Sequence, residues 1–171
     1  MHNFEELIET GTEFTLKALN DTFYKILQEL QTSSHTPLVK GVQMIQLQKV
    51  IFATGMFSIF EAELQNFLDC ENGFKEAKKA LVEMGETDLA DRFNDFYLAI
   101  NVLKHGKGSS YNNLVDNPKP LPFRLKLPGE DFFNEGDISE VYTLVEVDDN
   151  FILNCADLIR RISEILKSYR S

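Results

Sequence analysis

The chain has 171 residues, 43% of them hydrophobic, and carries a formal net charge of −10 at pH 7. This length suffices for one well-packed domain and is short for two. The acidic balance argues against non-specific binding of nucleic acid or of an anionic membrane. The longest uncharged apolar-rich run, residues 50–60, is much shorter than the roughly 20 residues of a transmembrane helix, so we expect no membrane association.

The N-terminal residues lack the basic start and the apolar core of a secretion signal. Cys70 and Cys155 are far apart and form no Cys-x-x-Cys motif, which is typical of free thiols in a reducing compartment. The histidines show no metal-ligand spacing. We therefore expect a cytoplasmic protein with no metal and no cofactor.

Apolar residues at three-to-four spacing predict a first helix over residues 4–30, whose apolar face includes Phe4, Leu7, Ile8 and Phe14. A polar break follows, and Pro37 suits the start of a second helix that runs to Asp69. The second half of that helix is apolar almost all round. Such a helix is either central in a bundle or shared with a second subunit. Gly55 in its middle lets another backbone come close.

A short helix is predicted over residues 74–84, ended by Gly85. Thr87 is then expected to cap a helix that runs to about His105, with Gly106 past its end. Asp148 or Asp149 is expected to cap a last helix over residues 151–167.

Residues 106–142 are the least regular part of the chain and are interrupted by prolines. Residues 123–127 alternate apolar and basic side chains like a strand, and residues 142–147 are the expected partner in an antiparallel hairpin. The predicted fold is mainly α: a helical bundle of four long helices plus a short helix, with a small β-hairpin insertion before the last helix.

The richest chemistry lies where the fourth predicted helix ends. Asn101 and His105 share one helical face because they are four residues apart, and Lys104 and Lys107 are close in sequence. Residues 101–128 carry five basic side chains against one acidic side chain, so a local anion site is compatible with an acidic chain. The alternative is that His105 and Lys104 are exposed residues favoured by the helix dipole and that Asn101 is a solvated helix residue. Residues 106–110 superficially suggest a phosphate-binding loop, but they follow a helix and lack the Walker spacing, so we expect a mobile loop there.

Two stretches resemble the HEPN family. Residues 56–65 are similar to its acidic, aromatic-rich helix, and Asn101-x-x-x-His105 followed by a glycine is similar to the C-terminal half of its signature. That signature is an arginine, four to six residues, and a histidine, often with a polar residue directly after the arginine. The resemblance implies that residues 1–171 form one HEPN-like helical domain, with residues 106–142 as a loop or hairpin insertion.

HEPN domains commonly dimerise, and many are metal-independent ribonucleases of toxin–antitoxin, phage-defence and CRISPR systems. By this resemblance His105 is the catalytic histidine, which handles a proton as the ribose 2′-OH attacks the adjacent phosphate. Asn101 is the polar residue that orients the imidazole or the phosphate, and Glu61 orients the cluster from the facing helix. Lys104 and Lys107 are the candidate RNA-phosphate ligands.

The chain departs from the signature at the arginine. The position is occupied by Ile100, and the longer spacings point to Ala99 and Leu98, so a bidentate phosphate clamp is missing. We therefore expect a homodimeric HEPN-like, RNA-directed protein with altered or lost ribonuclease activity, whose partners are RNA and an antitoxin or other protein. The alternative is a non-catalytic module that dimerises or binds a protein through the apolar helix around residues 52–67.

Overall fold

A computed structural model describes residues 4–32, 35–117, 119–131 and 141–169. Within these ranges the chain forms six helices, and none of them is both long and apolar enough to cross a membrane. Their bounds are α1 Phe4–Leu30, α2 Thr36–Leu68, α3 Gly73–Glu83, α4 Thr87–His105, α5 Ser109–Val115 and α6 Asp149–Tyr169.

The mainly α class is confirmed, and the five predicted helices are α1, α2, α3, α4 and α6. Pro37 lies in the first turn of α2, where its missing N–H costs nothing. Asp148 caps α6, because its Oδ1 accepts a hydrogen bond of 2.7 Å from the backbone N–H of Phe151. The predicted cap at Thr87 is wrong: Thr87 is the first helical residue, and Glu86 precedes it without a side-chain capping bond.

The long helix α2 is central and packs against α1, α3, α4 and α6. Its second half buries Met56, Phe57, Phe60 and Leu64 in the core of its own chain. Phenylalanines of α3, α4 and α6 complete this core, with ring centroids 5.1 to 6.4 Å apart. Of the two interpretations of this apolar helix, the central position in a bundle therefore accounts for these side chains.

Two expectations about side-chain environment are wrong. Leu7 and Phe14, predicted on the apolar face of α1, are exposed, and Thr12 and Leu16 are buried instead. Because α1 has apolar residues on several sides, the three-to-four spacing is compatible with more than one rotation of the helix about its axis. Within the described residues of its own chain, Gly55 is not a point of close approach either, since a Cβ there would meet no atom within 4 Å.

Residues 106–110, predicted as a mobile loop, form a loop only over residues 106–108, because residues 109 and 110 are helical. Gly106 adopts φ +73°, which favours glycine, and turns the chain out of α4. Ser109 then begins α5, a helix that the sequence did not predict. This short helix is tied to the bundle by buried Tyr111 and Leu114, and the Tyr111 hydroxyl donates a hydrogen bond of 2.6 Å to the Lys126 carbonyl.

The predicted β-hairpin insertion is not seen as strands in the described residues. The two segments meet in a single antiparallel bridge between Leu125 and Val145, flanked by backbone hydrogen bonds of 2.9 and 3.0 Å. Pro122 and Pro128 bracket this bridge and limit the length over which residues 123–127 can pair. The turn that would join the two segments lies within residues 132–140, outside the described residues.

Candidate functional site

A depression lies where α4 ends and α5 begins, and it brings Asn101 and His105 together. Both side chains line it, as their spacing of one helical turn predicts. Its volume is about 480 Å³. We call it the His105 depression; it is lined by Tyr97, Asn101, His105, Gly106, Gly108, Ser109 and Ser110.

The local sequence explains this geometry. The Gly106 N–H closes α4 with a hydrogen bond of 2.8 Å to the Val102 carbonyl, and the positive φ of Gly106 redirects the chain. His105 stays exposed in the last turn of α4, where the helix dipole favours a cation, and Asn101 is half-buried one turn earlier. An imidazole and an amide therefore face an open space that is large enough for part of a nucleotide chain.

The other predicted site residues do not line this depression. Lys107 lines a separate one together with Tyr142, Thr143 and Leu144. Lys104 is exposed and, as the neighbour of His105, points about 100° away round the helix. Glu61 is half-buried on α2, where its carbonyl faces the start of α3 at Gly73.

Of the signature's arginine positions, Ile100 and Ala99 belong to the core of this chain, and Leu98 is partly buried and packs against it. Ile100 is 2% exposed and Ala99 is fully buried, so neither position faces a ligand. Arg92, the arginine of α4, is directed to α6: its guanidinium donates to Asp157 at 3.2 Å and to Asn154 at 2.6 Å. The depression therefore has no guanidinium from its own α4.

The basic segment predicted over residues 101–128 is largely neutralised by carboxylates from outside it. Lys119 pairs with Asp91 at 2.7 Å, Arg124 with Glu146 at 3.8 Å and Lys126 with Asp131 at 2.7 Å. Lys104 and Lys107 form no ion pair with the described residues. The positive charge of this segment is thus confined to the end of α4.

Sequence reasoning missed Tyr97, Ser109 and Ser110 as lining residues. Tyr97 precedes Asn101 and His105 along α4 at the same four-residue spacing. That spacing was the signal that could have found it. Ser109 and Ser110 gave no signal, because α5 was not predicted.

Tyr97 also lines a second depression, between α3 and α4. We call it the α3–α4 groove; it has a volume of about 210 Å³ and is lined by Asn72, Phe74, Lys75, Lys78, Phe93, Asn94 and Tyr97. In the described part of the chain, no three His, Cys, Asp or Glu side chains group so as to hold a metal ion. The chain matches no protein-family model, no curated protein and no solved structure.

Proposed function

We propose that this chain is a HEPN-like, RNA-directed protein of a phage-defence or toxin–antitoxin system, that it acts as a homodimer, and that its ribonuclease activity is altered or lost. The observation that carries the proposal is the shared placement of Asn101 and His105 in one open depression. The departure from full activity rests on Ile100, which occupies the arginine position and is buried.

Metal-independent RNA cleavage needs a proton removed from the ribose 2′-OH and a proton given to the leaving 5′ oxygen. The 2′ oxygen forms a bond to phosphorus as the bond from phosphorus to the 5′ oxygen breaks. An imidazole can perform either transfer near neutral pH, so His105 supplies one of the two groups. A dimer in which two His105 side chains meet supplies both.

Asn101 has a supporting role in this proposal. Its side-chain amide can donate a hydrogen bond to a phosphate oxygen, and from one helical turn before His105 it holds that phosphate beside the imidazole. It is a neutral donor, however, and stabilises developing negative charge less than a bidentate guanidinium. Since loss of one such donor typically costs about 100- to 1000-fold in rate, we expect RNA binding with weak cleavage.

The test is RNA cleavage and RNA binding by the purified chain in EDTA. His105→Ala should abolish cleavage and weaken binding of single-stranded RNA, and Asn101→Ala should reduce both. His35→Ala is the matched control, because His35 is also an exposed histidine beside a helix end. The proposal fails if His105→Ala behaves like His35→Ala in both measurements.

A second candidate function is a non-catalytic module for dimerisation or protein binding. The residues that favour it lie on the first half of α2, since the apolar residues of the second half are mostly buried in the chain's own core. Met44, Leu47 and Ile51 share one face at i, i+3 and i+7 and are 46 to 52% exposed. Scattered exposed apolar residues are ordinary, but three on one helix face form a stripe that a partner can cover.

Light scattering tests this second function. Replacing Met44, Leu47 and Ile51 with glutamine should lower the mass of any assembly to that of one chain. Val82→Gln, at an apolar residue that is 50% exposed on α3, should leave the mass unchanged. A wild-type chain that stays monomeric at high concentration contradicts dimerisation through this face and the dimer of the first proposal.

A further inference from the structure

The α3–α4 groove and the His105 depression share one side chain. Tyr97 lines both, so the two depressions adjoin along α4. Asn94, Tyr97, Asn101 and His105 follow one another at spacings of three or four residues and therefore share a face of the helix. With a rise of 1.5 Å per residue, this polar line is about 16 Å long.

The groove holds two lysines that form no direct ion pair, although the Asp91 and Asp95 carboxylates interact electrostatically with Lys78. Lys75 and Lys78 line it, and neither forms an ion pair with a described residue. Of the α4 carboxylates near Lys78, Asp91 is paired with Lys119 at 2.7 Å and Asp95 accepts a hydrogen bond of 3.2 Å from Asn117. None of the side chains that line the groove is a carboxylate. In a chain of net charge −10, the two lysines are a local concentration of positive charge.

A neutral group positions one of these two cations. The Lys78 ammonium donates a hydrogen bond of 2.8 Å to the Asn94 Oδ1 across the groove, which directs it without cancelling its charge. The Asn72 side chain is used locally, because it accepts the Lys75 backbone N–H at 3.0 Å and fixes the start of α3. The two lysines are thus presented from adjacent turns of one helix, three residues apart.

The groove also offers an aromatic surface. The Tyr97 ring is supported by Phe74, with ring centroids 5.1 Å apart and planes inclined by 56°. Phe74 packs in turn on buried Phe93, with ring centroids 5.4 Å apart, so the Tyr97 ring packs on the aromatic core. A supported aromatic ring next to lysines is the combination on which bases of single-stranded nucleic acid stack while their phosphates are neutralised.

We propose that the α3–α4 groove binds a nucleotide of single-stranded RNA adjacent to the phosphate at His105, with its base on Tyr97 and its phosphate between Lys75 and Lys78. The strand runs along α4 from Asn94 towards His105. This inference rests on the proposed function, because it assigns the path of the same RNA. The groove supplies binding and position, whereas His105 supplies proton transfer.

The experiment measures binding of a fluorescent single-stranded RNA by anisotropy, in EDTA, over a series of salt concentrations. The double variant Lys75→Gln, Lys78→Gln removes two charges but keeps side chains of similar length. Lys25→Gln, Lys40→Gln is the matched control, because both lysines are exposed, lie on α1 and α2 and form no ion pair with a described residue. Melting temperatures of both double variants should stay close to that of the wild type.

The groove variant should bind RNA about tenfold more weakly near 0.1 M salt, with a shallower dependence of affinity on salt, because fewer counterions are released. The control pair should change the affinity less than twofold. Tyr97→Leu, which keeps apolar contact with Phe74, should weaken binding about tenfold with an unchanged salt dependence. These results together support a phosphate on the lysines and a base on the tyrosine.

Four results would overturn the inference. Equal losses in the groove variant and the control pair indicate non-specific attraction. A groove variant that binds like wild type, while His105→Ala binds weakly, removes the groove but leaves the proposed function standing. Adenosine monophosphate that binds as tightly as the strand, through the same lysines, makes the ligand a free nucleotide. A wild-type chain that binds no RNA defeats the proposed function as well.

Discussion

Lys49 and Asp149 form an ion pair of 2.7 Å that joins the middle of α2 to the first residue of α6. Lys49 is only 8% exposed, although it is a lysine. The Asn20 side chain of α1 donates a hydrogen bond of 2.7 Å to the other oxygen of the same carboxylate. The Asp149 carboxylate therefore contacts side chains of α1 and α2 from the start of α6, where the helix dipole also favours a negative charge.

Lys49→Met should destabilise the fold by about 2 kcal/mol, because it keeps the apolar stem but leaves Asp149 half-buried without its cation. Urea unfolding measures the change. Lys17→Met is the control: it breaks an exposed pair with Asp21 and should change stability by less than about 0.5 kcal/mol. Equal changes in the free energy of unfolding for the two substitutions would show that the Lys49–Asp149 pair stabilises the fold no more than an exposed pair.

Stability should also fall at acid pH through Asp149. Burial raises the pKa of this carboxyl, but the hydrogen bonds from Lys49 and Asn20 and the charge of Lys49 outweigh burial, and the pKa lies below its ordinary value. A lowered pKa in the folded state stabilises the fold above the unfolded-state pKa of about 3.9, and this contribution is lost as pH falls through the folded-state pKa. Urea midpoints measured from pH 7 to pH 2 should decline below about pH 4.

Asp149→Asn is the variant that isolates this effect. It should show a smaller decline than the wild type, although not a flat profile, because the pKa of Glu5 is lowered as well. Burial raises the pKa of Glu5, but the hydrogen bond and the charge of Lys167 outweigh burial, so the net shift is downward. Identical pH profiles for Asp149→Asn and the wild type would contradict the role given to Asp149.

Gly73 and Gly55 should respond to alanine in opposite directions. A Cβ on Gly73 would lie 2.8 Å from the Glu61 carbonyl oxygen and 2.9 Å from the Gln65 nitrogen, both backbone atoms of α2. Gly73→Ala should therefore cost about 1 to 3 kcal/mol through overpacking. Gly55→Ala meets open space inside a helix and should gain about 1 kcal/mol. Destabilisation by both substitutions would indicate that Gly55 contacts another chain.

The two cysteines should differ in reactivity. Cys155 is buried in α6, and burial raises its pKa well above the ordinary value, which the charge of Arg92 only partly offsets. Cys70 is half-buried just after α2. A thiol reagent at neutral pH should modify Cys70 in the folded protein and Cys155 only on unfolding. Mass spectrometry of peptides measures the two modification rates. Equal rates for Cys70 and Cys155 in the folded protein would contradict the predicted difference in reactivity.

Local periodicity was sufficient to predict five of the helices that the structure describes. It failed at α5, because a stretch rich in glycine and serine was interpreted as a loop, whereas Tyr111 and Leu114 anchor it in the core. It also overestimated the strand pairing, which is limited to Leu125 and Val145. In both places contacts distant in sequence outweigh local preference.

The candidate site could likewise be predicted from the sequence only where local spacing determines the geometry. Asn101 and His105 could be placed together from the sequence, because one helical turn fixes their relation. The other assignments depend on tertiary structure. Lys107 turns to a different depression, and the cations of residues 119–126 are paired with Asp91, Asp131 and Glu146. Local charge counting cannot detect such pairs, nor can it assemble the α3–α4 groove from two helices.

The central claim is that RNA lies against His105 and Asn101. The most direct measurement is an NMR titration of the isotope-labelled chain with 2′-O-methyl single-stranded RNA, which cannot be cleaved through its 2′ oxygen. The account predicts saturable shifts of the His105 ring and Asn101 side-chain amide signals, with the His35 ring unchanged. His105 signals that stay in place, or that move no more than those of His35, would contradict it.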